Sequence, residues 1–116
     1  TIKTAIRNIL SNSIKFTNPG GKITVSAFDE NNHIKIIFKD NGIGMSKDKI
    51  ESILRNDNVK SQEGTNKEKG FGLGLYLCKE FIAKNKGTLQ IFSEPNVGTT
   101  IEILLPKYSP LDRREV

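Results

Sequence analysis

The sequence predicts a single α+β domain in which helices pack on one face of one β-sheet. Apolar residues recur at helical spacing over residues 1–16, which predicts an amphipathic helix. Four later segments alternate apolar and polar residues, as half-buried strands do, and they come in two adjacent pairs. The chain has 116 residues, the length of one domain. Two strand pairs separated by helices, rather than strict strand–helix alternation, favour the α+β class.

Turn-forming residues divide the chain into these elements. We expect a helix over 1–16, strands over 22–29 and 33–40, a short helix from the Ser46 cap to about residue 54, a helix over about 73–86, and strands over about 88–93 and 99–105. Gly87 is the expected end of the last helix. Residues 55–69 are polar with one apolar residue, which predicts a loop long enough to be functional.

The chain is basic, with a net charge of +5 and a pI near 9.4. A charge of this size suits a polyanionic partner such as nucleotide phosphate or nucleic acid, or is simply a solvated lysine-rich surface. The two tyrosines and six phenylalanines fall mostly at core-like positions instead of among the basic residues. Because single-stranded nucleic acid is usually bound by stacking on aromatic rings, we expect no nucleic-acid partner.

Cys78 is the only cysteine, so the sequence offers no disulfide framework and no thiolate metal site. It falls in an apolar helical segment and is expected to be a small buried side chain, which fits a reducing compartment. No apolar run reaches the length of about 18 residues that a membrane helix requires. The chain starts at Thr1 and its one methionine is Met45, so we expect it to be part of a longer protein.

Three polar clusters carry the functional prediction, and the first lies on the first helix. Asn8, Asn12 and Lys15 have i, i+4, i+7 spacing, which confines them to an arc of about 60° on a helix. Such a stripe is either a solvated face or a ligand-binding one. Amide oxygens are hard ligands suited to Mg²⁺, and a lysine ammonium complements phosphate.

The second cluster, Asp40-Asn41-Gly42-Ile43-Gly44, follows the second strand. Asp40 has the same strand parity as Ile36 and Phe38, so its carboxylate is predicted to face the apolar side of the sheet. A carboxylate there needs hydrogen-bond donors, and the exocyclic amino group of a purine is a suitable one. The alternative is an ordinary Asp-Asn-Gly turn.

The third cluster is the glycine run Gly70-Phe71-Gly72-Leu73-Gly74-Leu75. It lacks the last glycine of the dinucleotide-binding fingerprint, and the sequence contains no G-x-x-x-x-G-K-[S/T] phosphate loop. We expect it to open a helix whose free backbone amides could bind phosphate. The alternative is a flexible hinge.

In order and spacing, the three clusters resemble the ATP-binding domain of sensor histidine kinases, within the superfamily that includes DNA gyrase, a heat-shock chaperone and a mismatch-repair ATPase. The segment from Asn8 to Thr17 resembles the N box, Asp40-x-Gly42-x-Gly44 the G1 box, and Gly70-x-Gly72-x-Gly74-Leu75 the G2 box. The resemblance extends to Pro106. It implies a two-layer α/β sandwich of the Bergerat type, with a mixed sheet, about three helices on one face and a flexible ATP lid over about 55–72. Residues 1–106 would form the catalytic domain and 107–116 a tail or linker.

The resemblance also implies which residues bind Mg·ATP. They are Asn8, Asn12, Lys15, Phe16, Asp40, Gly42, Gly44, Lys69, Gly70, Gly72, Leu73, Gly74, Leu75 and Thr99. Phe16 would lie beside the nucleotide. Gly42 and Gly44 would shape the base pocket, and the segment 72–75 would line the triphosphate.

Within this set the roles differ. Asn12 would coordinate Mg²⁺. Asn8 and Lys15 would contact the phosphates or their immediate surroundings, and they are the candidate catalytic residues. Asp40 would accept a hydrogen bond from the adenine amino group, and Thr99 would assist through water.

The sequence departs from the family pattern at two places. ATPases of the superfamily have a glutamate four residues before the metal-binding asparagine, but here that residue is Asn8, which cannot accept a proton at neutral pH. This difference favours a kinase over a hydrolase. Residues 49–69 also lack the phenylalanine-rich F box of many histidine kinases. Lys60, Lys67 and Lys69 could reach the γ-phosphate from this segment, or be solvated loop lysines.

The resemblance implies phosphoryl transfer to a histidine. His33 is the only histidine, but it follows a hairpin turn and has no acidic neighbour, so we expect it to be incidental. The acceptor would lie on an upstream dimerisation domain, and a response regulator receiver domain would take the phosphoryl group next. We expect a homodimeric cytoplasmic parent, with or without a membrane anchor, and a monomeric fragment. The alternatives are an ATPase clamp and a non-catalytic ATP-sensing module.

Overall fold

A computed structural model describes the backbone of residues 2–55 and 66–107 and the side chains of residues 2–55 and 74–107. The elements are α1 (Ile2–Lys15), β1 (Ile23–Glu30), β2 (His33–Asp40), α2 (Lys47–Leu54), α3 (Asn66–Lys84), β3 (Thr88–Glu94) and β4 (Gly98–Pro106). Their order is the predicted one, and the α+β class is confirmed. No helix in the described ranges is long and apolar enough to cross a membrane.

The four described strands form one sheet in the order β1-β2-β4-β3. All three neighbouring pairs are antiparallel, so the expectation of a mixed sheet is wrong for this part of the chain. The physical reason is that two hairpins, β1–β2 and β3–β4, meet through their second strands. This pairing makes β2 and β4 the central strands and sets Asp40 opposite Thr99 at one end of the sheet.

The core lies between the helices and the sheet face that carries Phe38, Ile101 and Ile103. Helix α1 packs on α3, and each contributes a side chain with no exposed surface, Ile9 and Ile82 respectively. The spacing of the apolar residues on the two helices explains this arrangement, because it places one stripe of each against the sheet. The predicted burial of Cys78 is also confirmed, since 2% of its surface is exposed.

The ends of α2 and α3 follow ordinary capping rules. The Ser46 hydroxyl accepts a hydrogen bond from the Lys49 amide at 3.1 Å, which confirms the predicted N-cap. Helix α3 ends at Lys84, and the Gly87 amide donates back to the Ile82 carbonyl at 2.9 Å. The left-handed residue at this helix end is Lys86, with φ of 67°, one residue before the predicted end at Gly87.

The start of α3 corrects another expectation. The glycine run was expected to open this helix, but α3 begins at Asn66, so Gly70 and Gly72 lie inside it. Residues 66–69 contain lysines and a glutamate but no proline, and they favour a helix. Each interior glycine costs about 1 kcal/mol relative to alanine. Packing of the later turns, where Leu75 is fully buried, offsets this cost.

Residues 1, 56–65 and 108–116 lie outside the described residues. Most of the predicted lid, Lys60 and nearly all of the predicted tail fall there. These assignments, and the division at residue 106, remain predictions.

We expect Ile9→Ala to lower the free energy of unfolding by about 2–5 kcal/mol, because it leaves a cavity under α1. Ile14→Ala on the same helix is the matched control, since that side chain is 65% exposed. The control should change stability by about 0.5 kcal/mol or less. Urea unfolding of the two variants measures the difference. Equal losses would contradict the assigned helix face.

Candidate functional site

A narrow cleft separates the end of α1 from the end of the central strands. Its lining residues come from three parts of the chain and are Asn12, Ser13, Phe16, Asp40, Gly44, Thr99 and Ile101. The cleft therefore unites the first and second polar clusters, which are far apart in the sequence. Asp40 and Thr99 reach it together because they are partners in the β2–β4 register.

The third cluster approaches the cleft through Gly74 on α3, which lies next to the Asn12 side chain. A Cβ atom on Gly74 would have the Asn12 Nδ2 atom as its nearest neighbour, at 3.4 Å. Only 8% of Asn12 is exposed, and its Nδ2 atom is buried without a hydrogen-bond partner among the described residues. An unpaired buried amide costs free energy unless a ligand or water satisfies it. Asn12 is thus suited to hold a polar ligand between α1 and α3.

The other two members of the α1 stripe are placed differently. Asn8 is half-buried and its side chain hydrogen-bonds the Cys78 thiol on α3. Lys15 is exposed, with its Nζ atom 5.7 Å from the centre of the Phe16 ring. The Lys15 ammonium thus lies close to a ring that lines the cleft, whereas Asn8 is not among the lining residues.

One of the two carboxylate oxygens of Asp40 is already hydrogen-bonded within the chain. Its Oδ1 atom accepts a hydrogen bond from the Gly42 amide at 2.8 Å, which fixes the turn after β2. Among the described residues, the structure gives no donor to the other oxygen, Oδ2. The carboxylate is half-buried and lines the cleft, so Oδ2 is available to an incoming N–H group.

The loop after Asp40 is tied to both neighbouring elements. The Ile43 amide donates to the Phe16 carbonyl at 3.1 Å, and the Asn96 amide donates to the Ile43 carbonyl at 2.7 Å. Gly44 has φ of +70°, and a Cβ atom there would overlap the Glu94 carbonyl. Glycine is thus required at this position both by the backbone angle and by the close approach of the β3–β4 turn.

Two lining or supporting residues escaped the sequence prediction. Ser13 is buried and lines the cleft, and its place beside Asn12 was the only signal for it. Ser93 hydrogen-bonds Thr99, with 2.8 Å between the two hydroxyl oxygens. Its signal was strand parity, because Ser93 is a polar residue at an inward position of β3, in phase with Leu89 and Ile91.

The remaining predicted residues have mixed outcomes. Leu75 is fully buried in the core, so its side chain is not free to line a triphosphate. The Gly42 backbone amide supports Asp40, although Gly42 does not line the cleft. For four residues only the helical backbone is described, and they are Lys69, Gly70, Gly72 and Leu73.

His33 lies at the far end of β2 from Asp40. Seven residue steps along a strand separate the two by about 23 Å. His33 therefore does not belong to the cleft.

Cys78 is not suited to act as a thiolate. Burial raises the pKa of the Cys78 thiol, and the hydrogen bond with Asn8 opposes this only in part. The thiol also donates to the Ala5 carbonyl at 3.4 Å. Its role is to pack α3 against α1.

The site fits a metal that is held mainly by a ligand's own oxygens. The described residues contain no group of three or more His, Cys, Asp or Glu side chains that could hold a metal ion. Mg²⁺ commonly keeps several waters and binds one or two protein oxygens together with phosphate oxygens. An Asn12 side chain that borders the cleft is compatible with this type of coordination.

A wider groove of about 680 Å³ lies on the other side of the sheet end. Although Asp40 and Thr99 line both the groove and the cleft, the groove is lined mainly by outward side chains, among them Lys22, Lys39 and Phe92. By strand parity these point away from the helices, so the groove does not include Asn12 or the glycine run. The cleft is much smaller, about 10 Å³, but it is lined by both Asn12 and Asp40, and Asn12 lies next to Gly74 of the glycine run. It is therefore the better candidate.

Comparison with known proteins identifies the family. Residues 1–109 match the model of the family described as histidine kinase-, DNA gyrase B- and HSP90-like ATPase. The chain belongs to this family. ATP binding is the property that this membership implies, and the resemblance seen in the sequence is confirmed.

The curated relatives include cell-division control histidine kinases named PdhS. Those of Brucella canis and Brucella anthropi are each 36% identical to this chain over 115 residues. The match covers 91% of this chain but 11% of the Brucella canis protein. The chain therefore spans about a tenth of the length of these relatives.

Two solved structures give the same result. The nucleotide-free catalytic domain of histidine kinase ThkA has a TM-score of 0.72 and 26% identity, with coverage of 91% of this chain and 66% of that one. A mycobacterial sensor histidine kinase, MprB, has a TM-score of 0.70 and 26% identity, with coverage of 89% and 68%. The fold is thus that of histidine kinase catalytic domains, as the sequence predicted.

We expect Gly44→Ala to destabilise the domain by about 2 kcal/mol more than Gly20→Ala. Both residues have positive φ, +70° and +86°, but a Cβ atom at Gly20 would meet no other atom within 4 Å. The loss of stability in Gly20→Ala therefore measures the cost of the positive φ angle alone. The additional loss in Gly44→Ala measures the cost of the overlap with Glu94. Thermal unfolding of the two variants tests this. Equal losses would mean that the loop can move away from the β3–β4 turn without cost.

Proposed function

We propose that this chain is the catalytic domain of a two-component sensor histidine kinase, which binds Mg·ATP and transfers the γ-phosphoryl group to a histidine on a separate dimerisation domain. The observation that carries the proposal is the cleft that Asp40 and Asn12 line together, with Gly74 of α3 next to the Asn12 side chain. The histidine kinase relatives support the choice of this branch of the family.

At the base end, Asp40 would accept a hydrogen bond from the adenine amino group through Oδ2. The Gly42 amide holds Oδ1, so the carboxylate is oriented before the nucleotide arrives. Gly44 would let the base approach the loop backbone, and Thr99 and Phe16 would complete the pocket wall.

At the phosphate end, Asn12 would bind Mg²⁺ through its amide oxygen. When bound, Mg²⁺ neutralises charge on the phosphates. Lys15 would contribute a positive charge at the mouth of the cleft, and the Gly70–Gly74 segment would bring helix backbone close to the triphosphate. These residues position the γ-phosphoryl group and stabilise its charge, which is most of what phosphoryl transfer requires of a protein.

The nucleophile would come from another domain. Neutral imidazole is already nucleophilic, so this chain needs no strong general base. Asn8 supports this scheme because its amide cannot take a proton from water at neutral pH, and it is engaged with Cys78. Phosphoryl transfer to histidine is therefore favoured over hydrolysis by an ATPase clamp.

We also propose the partners that this chemistry requires. They are the dimerisation domain with its acceptor histidine and a response regulator receiver domain. The parent would be a cytoplasmic homodimeric enzyme, and the isolated chain a monomer.

We expect Asp40→Asn to weaken ATP binding at least tenfold with little loss of stability. Asparagine can still accept from the Gly42 amide, but it would present an NH₂ group to the adenine amino group, and a lost hydrogen bond to a charged group costs about 1.5–3 kcal/mol. Asp48→Asn on the exposed side of α2 is the control and should leave binding unchanged. Calorimetry at fixed Mg²⁺ measures both; unchanged affinity in Asp40→Asn would remove the adenine assignment.

We expect Asn12→Ala to abolish the part of ATP affinity that depends on Mg²⁺. ATP titrations in the presence of Mg²⁺ and in the presence of EDTA give two dissociation constants for ATP, and their ratio measures the magnesium-dependent part. Asn32→Ala, at an exposed asparagine of the β1–β2 turn, should keep the wild-type ratio. A normal magnesium response in Asn12→Ala would exclude the metal role.

The transfer step is tested with the parent protein and [γ-³²P]ATP. We expect acid-labile, alkali-stable label on a histidine of the dimerisation domain, and none on His33. Steady release of phosphate by this chain alone would instead favour the ATPase clamp. If the chain binds ATP but neither labelled histidine nor released phosphate is found, the result would favour the non-catalytic ATP-sensing module.

A further inference from the structure

We propose that Ser93 is a positioning residue that sets the hydrogen-bonding direction of the Thr99 hydroxyl, and so helps the cleft to select an amino-purine over an oxo-purine. The inference rests on the proposed adenine site. It concerns a residue that does not line the cleft and acts on the ligand only through its neighbours.

The Ser93 hydroxyl makes three short contacts. Its Oγ atom accepts from the Met45 amide at 2.7 Å, lies 2.9 Å from the Gly98 carbonyl oxygen, and lies 2.8 Å from Thr99 Oγ1. Ser93 thus links the loop after Asp40, the start of β4 and the wall of the cleft. Thr99 itself is 7% exposed, and Asp40 is its partner across the β2–β4 pairing.

A count of protons fixes the direction of each bond. The Ser93 hydroxyl has one proton, and a carbonyl oxygen can only accept, so this proton goes to Gly98. The Met45 amide can only donate, so it uses one lone pair of Ser93. The contact with Thr99 must then be donated by the Thr99 hydroxyl to the second lone pair. All three contacts are satisfied in this arrangement alone.

The consequence is that Thr99 turns only lone pairs toward the cleft. Asp40, next to it across the sheet, likewise offers carboxylate oxygens, which are acceptors. The base end of the cleft is therefore rich in acceptors. At position 6 of the purine, the amino group of adenine can donate hydrogen bonds to these acceptors. The 6-oxo group of hypoxanthine cannot, because it is itself an acceptor.

Removal of the Ser93 hydroxyl would relax this selection. In Ser93→Ala, the Thr99 proton loses its partner and can rotate toward the cleft, where it can donate to a 6-oxo group. A hydrogen bond contributes about 1 kcal/mol, so we expect the ratio of ITP to ATP dissociation constants to fall about fivefold. The Met45 amide and the Gly98 carbonyl also lose a partner, so stability should fall as well.

The experiment compares ITP and ATP binding by calorimetry in the wild type and in variants that remain folded by thermal unfolding. The ratio of the two dissociation constants separates positioning from stability, because a merely structural defect would weaken both nucleotides equally. Ser93→Thr keeps a hydroxyl and should keep the wild-type ratio. Ser26→Ala on β1 is the matched strand control. If Ser93→Ala does not fold, Ser93→Cys replaces it, since a thiol is a weak hydrogen-bonding group of similar size.

A double-mutant cycle with Thr99→Val gives the decisive comparison. Without the Thr99 hydroxyl, Ser93→Ala should leave the ratio unchanged within about twofold. An unchanged ratio in the single Ser93 variant, or the same fall in the Thr99→Val background, would overturn the inference while the proposed function stands. If the wild-type chain binds no ATP, the proposed function fails and this inference fails with it.

Discussion

The antiparallel pairing of β2 with β4 is the interaction on which the rest of the site depends. It joins two hairpins into one sheet and places Asp40 directly opposite Thr99. A shift of β2 by one residue in this register would turn Asp40 to the outer face and move Phe38 out of the core. The burial of Phe38, Ile101 and Ile103 therefore fixes the position of the polar pair at the strand ends.

Much of this arrangement could be predicted from the sequence because it follows from periodicity. Strand parity put Asp40 on the inner face, and helical spacing put Asn12 on a defined stripe of α1. The relation between the hairpins was not predictable in the same way, because strand pairing across the chain has no local signal. The mixed sheet was implied by the family resemblance alone, and the described strands pair only antiparallel. The start of α3 failed because glycines in a helix cost less than the packing of its later turns contributes.

The site also shows where single-residue reasoning reaches its limit. The α1 stripe looked uniform in the sequence, yet in the structure Asn8 contacts Cys78, Asn12 is buried with an unpaired amide atom, and Lys15 is exposed. Ser93 was not predicted because its importance depends on contacts with Gly98 and Thr99 across the β3–β4 hairpin and with the distant Met45. Composition placed the chain among possible anion binders. Asp40 and Thr99 line both the cleft and the larger groove outside the sheet, whereas Asn12 lines only the cleft.

The central claim is that Asp40 and Asn12 act on opposite ends of one nucleotide, and amide chemical shifts of the chain test it most directly. Adenosine should shift the amides of Gly42 and Gly44 at the base end. Mg²⁺ with a non-hydrolysable ATP analogue should shift these and, in addition, the amides of Asn12 and Gly74. Shifts confined to outer-face residues such as Lys39 and Phe92, with none at Asn12, would contradict the claim.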